Sequence, residues 1–301
     1  MTATLTGAPG APGTGDVSPE AAGPQAGGRW SRARRSPSTL AGGTLVALFA
    51  VVALVSLAWT PYDPLAIDPR IALHGSSAAH LLGTDQYGRD VLSRLMAGTQ
   101  VAFYVGVIAV AIAAGIGVPA GLLAAQRGGV LGEVVMRIGD VVYGFPALLA
   151  AITLTAALGA STTVAMIAIG VAYIPVFARV SRASALTVLS SGYVLAARSY
   201  GRRPLAITRR HVLPNVAPIL IVQASLLYAV AILAEAGLEF LGLGSPPPAP
   251  TWGAMIHDAQ DYLARDPMFT VWPALVITLA VLGFSLLGDG LREVLDPGLG
   301  R

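Results

Sequence analysis

Five uncharged stretches dominate this chain: Leu40–Trp59, Val101–Ala124, Val141–Ala178, Val212–Ala234 and Met268–Gly288. An α-helix of about 20 apolar residues crosses a hydrocarbon core of roughly 30 Å. In such a solvent every backbone N–H and C=O must be satisfied within the chain, so long apolar runs take the helical form. At 38 residues Val141–Ala178 is too long for one crossing. The segment LGASTT (Leu158–Thr163) is where it should turn, which predicts helices at about 141–158 and 162–179. The expected architecture is therefore all-α, a polytopic membrane protein with six transmembrane helices. Composition agrees, since 12% of residues are charged, about half the roughly 25% usual in soluble domains.

Six crossings place both termini on one side, and the arginines indicate which. On one face lie Arg29, Arg32, Arg34, Arg35, Arg127, Arg137, Arg179, Arg182, Arg198, Arg202, Arg203, Arg209, Arg210, Arg292 and Arg301, fifteen in all, with Arg179 through Arg210 read as one loop. The other face has only Arg70, Arg89, Arg94 and Arg265. The excess of basic residues on cytoplasmic loops puts both termini in the cytoplasm of a cell (plasma or inner) membrane.

The expected organisation follows. Residues 1–38 read as a disordered cytoplasmic tail, Gly-, Pro- and Ala-rich (GAPGAPGTGD). Residues 39–60 form the first transmembrane anchor helix, longer than the apolar region of a signal peptide and therefore retained. Residues 61–100 form an extracytoplasmic loop with an amphipathic helix. Residues 101–290 form a five-helix core with a cytoplasmic loop at about 190–212, and 291–301 a cytoplasmic C-terminal end.

Several chemistries are excluded by residue type. The chain has no cysteine and no lysine. Disulfides, thiolate metal sites, a phosphate loop with its lysine and Schiff-base catalysis are thus out of reach. His74, His80, His211 and His257 are scattered, without metal-ligand spacing. No catalytic residue, metal site or cofactor is expected in the chain itself. A net charge of +3, patterned as above, gives no nucleic-acid surface.

Within the second span, Ala109, Ala113, Gly117, Gly121 and Ala125 recur every four residues and form one smooth face. Small residues that let backbones approach are the usual packing device in lipid. Glu235 and Glu239 fall at the outer end of the fifth span and Asp289 at the inner end of the sixth, so no relay of ionisable groups threads the core. A proton-driven pump would need one.

Among the loops, GTDQYGRDVLSRL offers Thr84 and Asp85 as turn formers, then a short helix with Asp90 and Arg94 spaced to pair on its surface. Pro246–Pro248 and Pro250 stiffen an outer loop, and Trp252 and Trp272 suit an interfacial belt. The densest positive charge lies in AARSYGRRPLAITRRHVLPN (Ala196–Asn215). There Gly201 is a natural helix stop and Pro204 a natural start, predicting two short helices with an elbow between them.

The spacing Ala196-Ala197, three residues, Gly201, then Leu213-Pro214 resembles the EAA loop in permease subunits of ATP-binding-cassette (ABC) importers. Leu195 stands where that motif usually has glutamate. His80–Gly106, Glu235–Ile256 and Leu286–Pro297 are similar, in order, to segments of the dipeptide/oligopeptide/nickel branch, pointing to its second, six-helix permease subunit. Glu239 stands where that branch commonly has serine.

The resemblance implies the MetI-like fold of ABC-importer permeases and a subunit that forms the pathway for peptides or a related solute such as a nickel chelate. It implies that Leu195, Ala196, Ala197, Gly201, Leu213 and Pro214 form the ATPase-coupling loop. Glu235, Glu239 and Trp252 would belong to an outer gate or binding-protein contact. Implied partners are a homologous permease subunit, two ATP-binding cassette subunits or domains that hold ATP and Mg, and an extracytoplasmic substrate-binding protein. The alternative is a secondary transporter or channel not driven by ATP.

Overall fold

The computed structural model describes residues 36–246 and 248–295. Arg29–Arg35, Pro247, Asp296, Pro297 and Arg301 lie outside the described residues. Regular structure among those described is helical, apart from one antiparallel bridge between Thr84 and Asp90. Five helical stretches are long and apolar enough to cross a membrane, and the count is six where a pair bent by 72° is taken as one broken span.

α1 (Pro37–Ala58) begins at Ser36, whose hydroxyl accepts from the Thr39 N–H, with Pro37 preset for a first turn. α2 (Val91–Arg127) is 37 residues long, about 55 Å, and so reaches well beyond a bilayer core. It starts at Val91 rather than near Val101, because Asp90 caps it by accepting from the Ser93 N–H. The helix expected in the outer loop is thus the first turns of the second span.

α3 (Gly129–Tyr143) and α4 (Ala147–Leu158) replace the single helix expected over 141–158, and they are bent by 72°. Pro146 explains the break: it lacks an N–H and drives Phe145 away from helical geometry. α5 (Thr162–Leu189) continues past residue 179, so Arg179 and Arg182 ride on a helix and not in a loop. After the short α6 (Gly192–Ser199) and α7 (Pro204–Ile207), a π-type turn at Thr208–Val212 leads without a break into α8 (Leu213–Phe240). α9 (Trp252–Ala259) is a short helix, and α10 (Pro267–Leu295) is the last of the long apolar helices.

The smooth face of α2 packs on α5. Ala109 and Ala113 are fully buried. A methyl at Gly117 would lie 2.5 Å from the Ile174 carbonyl oxygen, and one at Gly121 2.2 Å from that of Ala178. The expected packing device is therefore present, with no room for a side chain at either glycine.

A second seam joins α2, α8 and α10. Tyr228 stacks on Phe284 with ring centroids 4.1 Å apart, and its hydroxyl donates to the Phe103 carbonyl at 2.7 Å. Ser225 donates likewise to the Phe284 carbonyl at 2.6 Å. These contacts satisfy polar groups that lipid could not. Further along α10, Ser36 donates to Glu293 at 2.7 Å and ties the end of that helix to α1.

Candidate functional site

The arginine-rich segment is built on a hydrophobic anchor. Val194 on α6, Ile207 on α7, and Val212 and Val216 at the head of α8 are buried against Leu122 and Ala125 of α2 and Ala185 and Leu189 of α5. With one face of α6 seated this way, Leu195 and Ala196 are exposed, Ala197 is half-buried and Tyr200 is 87% exposed.

The chain then turns at Gly201, whose φ is +74°. The Gly201 N–H donates to the Arg198 carbonyl at 2.9 Å and the Arg202 N–H to the Ala197 carbonyl at 3.2 Å. This pair of bonds is the Schellman helix ending, and it requires a residue comfortable at positive φ. The elbow expected at Gly201 is therefore present.

Leu213 and Pro214 open α8 and are exposed. Asn215 donates to the His211 carbonyl at 2.6 Å, and the His211 ring lies 5.9 Å from that of Tyr193 on α6. Gln126 at the end of α2 donates to the Pro204 carbonyl at 3.0 Å. Sequence reasoning missed Val194, Tyr193 and Gln126. Val194 stands beside the equally apolar Leu195, so nothing in the sequence marked it out.

Glu235 and Glu239, near the C-terminal end of α8, are enclosed, each 3% exposed. Glu239 accepts from Thr162 at 3.0 Å and from the Ser245 N–H at 2.7 Å, tying α8 to the start of α5. The Oε1 of Glu235 has no hydrogen-bond partner among the described residues. Gly253 on α9 sits against Ala236 and Glu239, so close that a methyl there would lie 2.5 Å from the Ala236 carbonyl oxygen.

Trp252 differs from expectation. It is 2% exposed and belongs to the core, with its indole N–H donating to the Leu95 carbonyl at 3.0 Å. The side chain of α9 that meets α2 is simply the largest one available, and Gly98 makes room for it.

The GTDQYGRD segment also departs from a surface reading. Asp85 accepts from the Tyr87 and Arg89 N–H groups at 2.8 and 2.9 Å and from Arg89 Nε at 2.5 Å. Arg94 turns to Asp85, at 3.6 Å, and not to Asp90. Asp90 is occupied instead by Ser93 and by His80 Nδ1 at 2.9 Å. Arg89 reaches on to Asp258 of α9 at 3.5 Å. Gly88, at φ +75°, has the Asp68 carbonyl pressed against it, which leaves no room for a side chain. The result is a buried ionic knot that fixes the outer loop, the start of α2 and α9 together.

The chain is thus a bundle of long apolar helices with a docked elbow at Gly201 and a buried ionic cluster around Asp85. Residues 117–301 match the family described as "Binding-protein-dependent transport system inner membrane component". The chain belongs to this family. It is 38% identical over 271 residues to the glutathione transport system permease protein GsiD of Pectobacterium atrosepticum, covering 90% of each chain. It is 39% identical over 265 residues to the probable D,D-dipeptide transport system permease protein DdpC of Escherichia coli K12, covering 88% of this chain and 89% of that one. The fold is that of the permease in a structure titled for inward-facing conformations of the MetNI methionine ABC transporter. That match has TM-score 0.55 at 19% identity and covers 67% of this chain and 96% of that chain. The protein is a multi-pass permease subunit of an ABC importer, and the alternative of a transporter not driven by ATP has no support.

Proposed function

We propose that this subunit carries peptides of two or three residues, or a closely similar solute, with both termini in the cytoplasm. It would pair with a homologous permease subunit, two ATPase subunits or domains, and an extracytoplasmic binding protein. The cargo class follows what the relatives' names state: glutathione and D,D-dipeptide transport.

The coupling loop is the row Leu195, Ala196, Ala197 and Gly201, with Leu213 and Pro214 behind it. The observation that carries this reading is the exposed face of α6 held on the buried Val194. A helix fastened to α2, α5 and α8 on one side and bare on the other transmits a push from outside to the bundle. Leu195 offers an apolar contact where a glutamate would offer a charged one. ATP binding and hydrolysis belong to the partners, whose closure would switch the pathway between its two sides. Glu235 and Glu239 close the outer end, and the rigid rim that includes α9 is the seat for the binding protein.

Reconstitution of the complete transporter in liposomes tests this. Uptake of a labelled dipeptide or glutathione should require ATP, the binding protein and this subunit together. Uptake that persists without ATP, driven by an ion gradient, would overturn the reading.

A further inference from the structure

We propose that the seam between α3–α4 and α5 holds an anionic phospholipid. Two hollows along this seam carry the proposal. One, of about 350 Å³, is lined by Met136, Asp140, Arg179, Arg182, Ala183 and Leu186. The other, of about 220 Å³, is lined by apolar side chains alone, among them Val142, Phe145, Leu154, Ile167 and Val171. A charged hollow and an apolar groove on one helix seam match the chemistry of a headgroup and its acyl chain.

Depth and charge agree. Arg179 and Arg182 come 17 and 20 residues after the start of α5 at Thr162. At 1.5 Å per residue that is about 26 and 30 Å, the span of a hydrocarbon core. The arginines therefore sit at headgroup level. Arg179 is held by Asp140 at 3.3 Å and lies 4.5 Å over the Tyr143 ring. Arg182 lines the same hollow, and its Nε has no hydrogen-bond partner among the described residues; the rest of its guanidinium is a donor set suited to a phosphate. Two guanidiniums against one carboxylate leave the hollow cationic. A peptide in transit would need polar partners along its backbone, which the apolar groove lacks, whereas an acyl chain needs none. On the orientation proposed above, the lipid belongs to the cytoplasmic leaflet, where anionic headgroups attract arginine.

Native mass spectrometry of the assembled transporter, titrated with phosphatidylglycerol or phosphatidylcholine, tests the site. Phosphatidylglycerol should be retained preferentially. Arg179→Gln and Arg182→Gln should each weaken it about fivefold, the loss of one interfacial charge. Arg70→Gln, exposed near the other end, should change nothing. Val171→Trp, which fills the groove, should displace both lipids from an assembly that remains intact. Equal retention of both lipids by the parent and the two arginine variants would overturn the proposal. So would cross-links from Val171 and Arg182 to the other permease subunit alone. A raised KM for cargo in the arginine variants, with lipid occupancy unchanged, would assign the seam to the transport path and equally overturn it.

Discussion

The indole of Trp252 donates to the Leu95 carbonyl at 3.0 Å while its ring covers Gly98, pinning α9 to α2. Trp252→Phe keeps an aromatic side chain but loses the hydrogen bond and part of the indole's volume, so it should cost about 1–3 kcal/mol. Trp252→Ala empties a fully enclosed position and should cost about 3–5 kcal/mol. Thermal unfolding in detergent reads both. An alanine variant as stable as the parent would return Trp252 to the exposed rim.

The ionic knot makes a sharper contrast. Asp85→Asn leaves Arg89 and Arg94 buried without their carboxylate and should destabilise by about 3–5 kcal/mol. Asp90→Asn retains a good helix cap and should cost less than about 1 kcal/mol. Limited proteolysis of the loop at residues 61–90 should show rapid cutting only for Asp85→Asn. Equal effects of the two variants would mean that Asp85 is no more central than a cap.

Sequence reasoning strayed at the ends of spans and in the third span, which is broken at Pro146. Long apolar runs gave the crossings directly, because lipid leaves few alternatives to a helix. The every-fourth small residues gave the α2–α5 contact, since Gly117 and Gly121 have a use only at close approach. The break at Pro146 was legible in principle, yet the uncharged run around it hid the turn. Arg94 and Trp252 were assigned to surfaces by their chemistry. Their burial depends on Asp85 and Leu95, partners that no periodicity reveals. In the arginine-rich loop, Gly201 announced its elbow, whereas Val194 could be recognised as the anchor only once α2, α5 and α8 were seen around it.

Close packing of α2 on α5 predicts that Gly121→Leu will be far worse than a change on the lipid side. The added atoms would meet the Ala178 backbone, which cannot move without shifting α5. The cost should exceed the 1–3 kcal/mol typical of overpacking, and the folded yield should fall steeply. Ile116→Leu, at a position 54% exposed, is the control and should be silent. Equal yields from the two variants would show that the smooth face is not an interface.

Topology has its own test. Reporter fusions near Arg203 and after Arg301 should register cytoplasm, and a fusion at Pro248 should register the outside. A cytoplasmic signal at Pro248 would contradict both the six crossings and the arginine rule behind them.

The central claim is that α6 and its elbow dock on the ATPase. Ala196 is exposed, so Ala196→Trp adds bulk without disturbing the chain's own core. Gly201→Val forces a β-branched residue to a φ of +74°, a strain of roughly 1–2 kcal/mol that opens the elbow. The measurement is co-purification of the ATPase with each variant, alongside uptake in the same cells. Both variants should insert normally, and ATPase recovery and uptake should fall together by about tenfold, the equivalent of roughly 1.4 kcal/mol of contact. Full ATPase recovery and full uptake in both would contradict the account and leave this segment an ordinary basic loop at the membrane surface.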